Sequence, residues 1–294
     1  MANKIKKKKA SAAEPGRSAW LPHVSLLIAC VAFLTVYSMR RSAELGKAPS
    51  TFRSIQCAKS YSPGAGCSPQ HTNRCSRVIV DQFATAKEVE ALVAIAERGM
   101  QLGGGSGGPT ILDLVSGALS YGDKFIDVWA AFDDSNGVRA YRRSELQVFQ
   151  QVIERVSRLV ESTYSVEGVH LTSPGFFSRI NAAPAKIAND EYWHPHVDTE
   201  QYESFVYTAL LYLTDHGTDF EGGQLQFLQS HAEASTEPVH AVKPAKGRLV
   251  LFTSGAEHPH RVTRVTNGTR LTVTIPFTCD SRAAVDVLNR AIPD

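Results

Sequence analysis

From Leu171 onward the chain is built of short runs in which apolar and polar residues alternate. They span Phe176 to Asn181, Glu191 to Asp198, Phe205 to Thr214, Gln224 to Leu228, Arg248 to Phe252, His260 to Val265 and Arg270 to Phe277. A period of two places alternate side chains on opposite faces of an extended strand. Gly222-Gly223, Lys246-Gly247, Ser254-Gly255 and Asn267-Gly268 punctuate these runs. Several short strands at this spacing predict a sandwich or jelly roll. In the last run Leu271, Val273 and Ile275 share one face, against Arg270, Thr272 and Thr274. One face can bury beneath helices, and the polar one can line a barrel mouth.

Upstream the period changes. Thr85 with Glu88 makes a capping box, followed by Val89, Leu92, Val93 and Ala96 at helical spacing. Ser144 with Gln147 opens a second helix through Glu161, with Phe149, Val152, Ile153, Val156, Leu159 and Val160 as its apolar stripe. The run from Gly103 to Pro109 resembles a phosphate loop superficially, but it lacks the Gly-Lys-Ser/Thr ending and is read as a turn. Val78-Ile79-Val80 is expected as a first short strand. The predicted organisation is α+β: a basic tail over 1–19, a membrane span over 20–39, a cysteine-bearing stem over 40–80, helical support over 81–170, a β core over 171–285 and a tail over 286–294.

Composition and charge add a compartment. At 294 residues and 43% hydrophobic, the chain can bury one substantial core. The net charge of +2 is uneven, with Lys4, Lys6, Lys7, Lys8, Lys9 and Arg17 crowded at the start. A nearly balanced remainder argues against nucleic-acid binding by the folded domain. Leu21 to Met39 contains no acidic residue, and Trp20 and Tyr37 suit its two interfaces. No small-x-small cleavage pattern follows promptly, so a signal anchor is expected in place of a removed signal peptide. The excess of Lys before the span keeps the tail cytosolic and predicts a single-pass type II protein whose C-terminal domain is lumenal, in the endoplasmic reticulum or later secretory pathway. A nuclear-import role for Lys6 to Lys9 makes sense only if the span is not one. Cys57, Cys67, Cys75 and Cys279 form an even set compatible with disulfides, in any of three pairings, and Cys30 lies within the span. Asn267-Gly268-Thr269 is a glycosylation sequon, usable only in a lumenal chain.

The candidate chemistry is concentrated in Tyr192-Trp193-His194-Pro195-His196-Val197-Asp198. In an extended segment His196 and Asp198 point the same way and can hold adjacent positions on one metal ion. A distant His completes a 2-His-1-carboxylate face that leaves coordination sites open, which suits non-haem Fe(II). His-x-Asp alone is weak; its weight comes from His260-Arg261-Val262 followed by Arg270. A guanidinium suits a buried carboxylate because its planar fork makes paired hydrogen bonds. Two decoys share parity with the candidates, since both His194/His196 and His258/His260 are spaced His-Pro-His.

With these residues in hand, the chain resembles the Fe(II)- and 2-oxoglutarate-dependent dioxygenases of the prolyl 4-hydroxylase-like class. The matching residues are His196-Val197-Asp198, Tyr212-Leu213-Thr214, Glu221-Gly222-Gly223-x-Leu225, Lys246 to Phe252, and His260-Arg261-Val262 with Arg270. Phe176 to Asn181 and Asp190 to His194 make it similar to the single-pass membrane 2-oxoglutarate and iron-dependent oxygenase domain-containing proteins. The resemblance implies a double-stranded β-helix (jelly roll) with supporting helices, and dependence on Fe(II), 2-oxoglutarate, O₂ and L-ascorbate. It implies His196, Asp198 and His260 as iron ligands, Arg270 on the distal carboxylate of 2-oxoglutarate, and Tyr212 and Thr274 as helpers there. It also implies a protein or peptide substrate hydroxylated on a side chain. The family's His-to-Arg spacing favours His260 over His258, while His194 lacks a carboxylate two residues on. A catalytically silent binding module and a Zn hydrolase stand as alternatives. If Asn267-Gly268 formed a two-residue hairpin, His260 would pair with Ile275 and face away from Arg270, so a bulge or odd loop is expected there.

Overall fold

The computed structural model describes residues 50–59, 61, 66, 74–133, 141–230 and 237–286. The expected span at 20–39 lies outside these, and no described helix is long and apolar enough to cross a membrane. Part of the expected stem is folded into the sheet instead. β1 (Ser50–Ile55) and β2 (Cys75–Val80) are antiparallel partners, with Ser50 opposite Val80 and Ile55 opposite Cys75. Cys57 is bonded to Cys75 across a sequence separation of 18. Closing a loop of that length stabilises by about 3 kcal/mol through the unfolded chain. Cys279 is disulfide-bonded as well, and Gly66 packs on its carbonyl so closely that a Cβ there would overlap it.

The two expected helices form. α1 (Ala86–Met100) carries the Thr85/Glu88 capping box, with the Glu88 carboxylate accepting from Thr85 N at 2.9 Å. β3 (Gly104–Gly105), β4 (Thr110–Leu112), β5 (Ala118–Gly122) and β6 (Lys124–Asp127) follow, then α2 (Val128–Asp133). These strands lie within the region expected to supply helical support. α3 (Arg143–Tyr164) starts earlier than the Ser144/Gln147 pattern predicts, because the Glu145 carboxylate accepts from Arg142 N at 2.8 Å and also pairs with Arg98.

Next come β7 (His170–Leu171), β8 (Phe176–Asn181), the one-turn α4 (Asp198–Gln201), β9 (Tyr207–Tyr212), β10 (Phe220–Gly222), β11 (Leu225–Leu228), β12 (Pro238–Val242), β13 (Leu249–Thr253), β14 (His260–Val262) and β15 (Val265–Thr278). The large sheet runs β1-β2-β13-β9-β15-β8-β4-β5-β3, with β7 and β10 also on β15 and β6 on β5. The small sheet is β12-β11-β14. On the outer face of the large sheet Leu211, Leu251, Leu271, Val273 and Ile275 bury with Leu92, Ile95, Val152 and Val156 of the helices. On its inner face Leu210, Tyr212, Val250 and Phe252 meet Leu225, Phe227 and Val242 of the small sheet. The alternation read in the last run sets these two cores, one per face.

Two expectations change. Asn267-Gly268 is not a hairpin: both residues lie within β15, where they pair with Glu221 and Phe220 of β10. His260 therefore does not pair with Ile275; it sits on the other sheet, opposite Phe227. The two sheets face each other, so His260 and Arg270 enter the same space, and the pairing of β15 with β10 shifts register between Val265 and Asn267, an irregularity of the kind expected between them. Glu191 to Asp198 is not a strand either. His196 alone bridges to His260, and Asp198 opens α4.

Candidate functional site

The site lies where the inner faces of the two sheets open. His196 is held by a reciprocal backbone pair with His260, each N–H donating to the other's carbonyl at 2.9 Å. Val197 is extended, so the His-x-Asp geometry holds locally although no strand surrounds it. Nitrogen and oxygen atoms of His196, Asp198 and His260 all lie within 4.8 Å of one another. Asp198 Oδ1 is 3.8 Å from His196 Nε2 and 3.5 Å from His260 Nε2.

The surroundings orient each of the three groups. His196 Nδ1 donates to the His194 carbonyl at 3.1 Å, and His260 Nδ1 to the His258 carbonyl at 3.0 Å. A carbonyl only accepts, so Nδ1 carries the proton in both rings and Nε2 presents its lone pair to the centre. The Thr208 hydroxyl donates to Asp198 Oδ2 at 2.6 Å and contacts the Ser254 hydroxyl at 2.8 Å, leaving Oδ1 facing the imidazoles. Burial pushes the His260 imidazole down to about 4, which keeps it neutral at physiological pH. Two imidazole Nε2 atoms and one carboxylate oxygen are a donor set for a divalent transition metal.

Arg270 is 2% exposed on the inner face of β15. Its Nε donates to the Gly223 carbonyl at 2.9 Å and its Nη1 to the Thr272 hydroxyl at 3.3 Å. Nη2 is buried without a hydrogen-bond partner among the described residues, and so is the Tyr212 hydroxyl. The Tyr212 ring lies 5.4 Å from the guanidinium carbon. Burial lowers the Arg270 guanidinium and raises the Tyr212 phenol, each offset in part by the other group. An orphaned guanidinium nitrogen beside an orphaned hydroxyl fits an incoming carboxylate. Arg270, Thr272 and Thr274 line the same cleft, of about 620 Å³, as the triad. Tyr212 stands behind Arg270 and not on that wall. Asn267 is exposed on β15.

The decoys separate. His194 stays at the rim with its Nε2 2.7 Å from Glu191 Oε2. His258 is buried, its Nδ1 against the Thr253 carbonyl at 2.8 Å, and it stands outside the converging set. Three supporting residues escaped sequence reasoning. Thr208 shares parity with Leu210 and Tyr212 and was legible only as one more inner-face position. Ser254 sat in a turn pair. Gly223 was read as punctuation, yet its φ of +62° and the Arg270 Cδ, 2.8 Å from where a Cβ would be, make glycine the condition for seating the guanidinium.

Residues 183–277 match the 2OG-Fe(II) oxygenase superfamily. The chain is 40% identical over 239 residues to the 2-oxoglutarate and iron-dependent oxygenase domain-containing protein 3 of Xenopus tropicalis, covering 80% of this chain and 72% of that one. It is 25% identical to human prolyl 3-hydroxylase 2, covering 72% of this chain and 30% of that protein. A Pseudomonas putida prolyl-4-hydroxylase structure superposes with a TM-score of 0.45 at 18% identity, covering 69% of this chain and 91% of that one. The chain belongs to the 2OG-Fe(II) oxygenase superfamily and is a 2-oxoglutarate-dependent dioxygenase.

Proposed function

We propose that this dioxygenase hydroxylates an amino-acid side chain of a protein or peptide in the lumen of the secretory pathway, tethered by the apolar segment near its N-terminus. His196, Asp198 and His260 hold Fe(II). Arg270 receives the distal carboxylate of 2-oxoglutarate, with Tyr212 behind it and Thr274 on the same wall. The observation that carries this reading is the convergence of three metal-ligating atoms in one cleft with a buried, half-satisfied guanidinium. Bound together, Fe(II) and 2-oxoglutarate supply O₂ activation, in which one oxygen atom enters the substrate C–H bond, the other enters succinate, and CO₂ is released.

The chain's own residues do the positioning. The His194 and His258 carbonyls fix both imidazole tautomers, and Thr208 turns Asp198 so that one oxygen faces the centre. Thr272 and Gly223 hold the guanidinium in plane. Phe252, Leu210 and Leu225 wall the cleft and limit water beside the reacting atoms.

Proline is the side chain the prolyl hydroxylase relatives favour. L-ascorbate is the reductant the family resemblance supplies, and Asn267 is the glycan acceptor of a lumenal chain. The test is succinate release from 2-oxoglutarate by the purified chain, paired with mass spectrometry of secretory proteins from cells carrying the intact chain or His196→Ala. Triad-dependent succinate and a triad-dependent gain of one oxygen atom on a protein side chain are expected. Succinate formation that survives His196→Ala overturns the site; succinate without any modified polypeptide overturns the substrate class.

A further inference from the structure

One rung of the β-sandwich runs from the triad to the opposite edge of the molecule. On the large sheet Thr208, Phe252, Arg77 and Arg53 stand opposite one another across β9, β13, β2 and β1. On the small sheet His260, Phe227 and His240 do so across β14, β11 and β12. Phe252 and Phe227, with ring centroids 5.2 Å apart, close the middle. β1 and β12 are each the last strand of their sheet.

The edge end of this rung is cationic and unfinished. Arg77 is 4% exposed, and its guanidinium lies 4.4 Å over the Phe227 ring. Its Nε and Nη1 are buried and have no hydrogen-bond partner among the described residues. Its cross-strand neighbour is the exposed Arg53, a like charge directly opposite, which disfavours the strand pair. His240 stacks beside Phe227 at 6.3 Å, with a buried Nδ1 that has no hydrogen-bond partner among the described residues. Burial and Arg53 push Arg77 down to about 10, and burial with both arginines holds His240 below its ordinary value.

No carboxylate among the described residues offsets these groups. A ring face attracts the cation but accepts neither of the in-plane N–H groups. A buried guanidinium with two empty donors is costly unless an anion completes it. We propose that Arg77, Arg53 and His240 form an oxyanion-binding site, separate from the cofactor cleft, that takes a phosphate or carboxylate group. Arg77 supplies the buried donors, His240 the second wall, and exposed Arg53 the entrance. The group arrives either as a free small anion or on an acidic side chain of a polypeptide lying against the sheet edges.

Thermal unfolding and calorimetry of the full chain at constant ionic strength test this with two probes, inorganic phosphate and an N-acetylated, amidated tetraglutamate. At least one is expected to bind saturably. Phosphate without tetraglutamate identifies a free anion as the occupant, and tetraglutamate without phosphate identifies an acidic side chain. Arg53→Ala, at an exposed position, and Arg77→Gln are each expected to weaken binding about tenfold or more, whereas Arg270→Gln leaves it unchanged. If Arg77→Gln does not fold, Arg53→Ala decides. The site is overturned if neither probe binds, if Arg53→Ala binds as tightly as the native chain, or if only Arg270→Gln loses the response.

Discussion

Two arginines lie buried on the inner face of one sheet, and their surroundings could hardly differ more. Arg270 is clamped at two nitrogens by Gly223 and Thr272, and its third, Nη2, is buried without a partner among the described residues. Arg77 is held by the face of Phe227, with two nitrogens unpartnered among the described residues and Arg53 beside it. Clamping fixes a fork in direction, so that a carboxylate arriving at Arg270 meets a prepared edge. A guanidinium resting on a ring keeps its charge in place without aiming its donors. The same residue type in one sheet is thus clamped by hydrogen bonds at one position and held by a ring face at the other.

Breaking the clamp has the largest expected effect. Arg270→Gln removes a charge-assisted pair at about 1.5–3 kcal/mol and is expected to raise the Kd for 2-oxoglutarate about 10- to 150-fold, while Arg77→Gln shifts it less than about twofold; calorimetry on both variants checks the contrast. Thr208→Val takes the hydrogen bond from Asp198 Oδ2 and is expected to weaken Fe(II) binding about 10- to 100-fold, read by competition with a chelator. Gly223→Ala places a Cβ against Arg270 Cδ in left-handed backbone. It is expected to cost about 1–3 kcal/mol of stability in denaturant melts and to raise the 2-oxoglutarate Kd as well.

The pH response sharpens the same contrast at the metal end. His260 is held near 4 by burial against an ordinary 6.5. As pH falls below about 6.5 an unfolded chain takes up a proton there that the native chain refuses, so native stability is lost between about 6.5 and 4 and is unaffected above. The shift corresponds to about 3 kcal/mol at most. Melts of the metal-free chain should show this loss, and His260→Gln should lack that share of it.

Much of the core was legible because period-two alternation obliges a buried face. Leu271, Val273 and Ile275 and the helix stripe at Val152, Ile153 and Val156 declared themselves. The triad was legible as residue types in order, although the premise of a strand through Glu191–Asp198 was not needed: a single bridge at His196 and an extended Val197 sufficed. Sheet membership was illegible. Local pattern cannot tell that β14 and β15 belong to different sheets, so it left open how His260 and Arg270 reach one space. Nor could it place β1, exposed on both faces over most of its length, or β12, each the last strand of its sheet. Arg77 was invisible for the same reason, since its burial arises only when β1 and β12 close the rung.

The most direct measurement is an anaerobic titration of the purified chain with Fe(II) and 2-oxoglutarate, followed by visible absorption and calorimetry. One Fe(II) per chain, with tight 2-oxoglutarate binding only after the metal, and loss of both in His196→Ala, Asp198→Ala and His260→Ala, is the predicted result. Undiminished Fe(II) binding in those three variants would contradict the account.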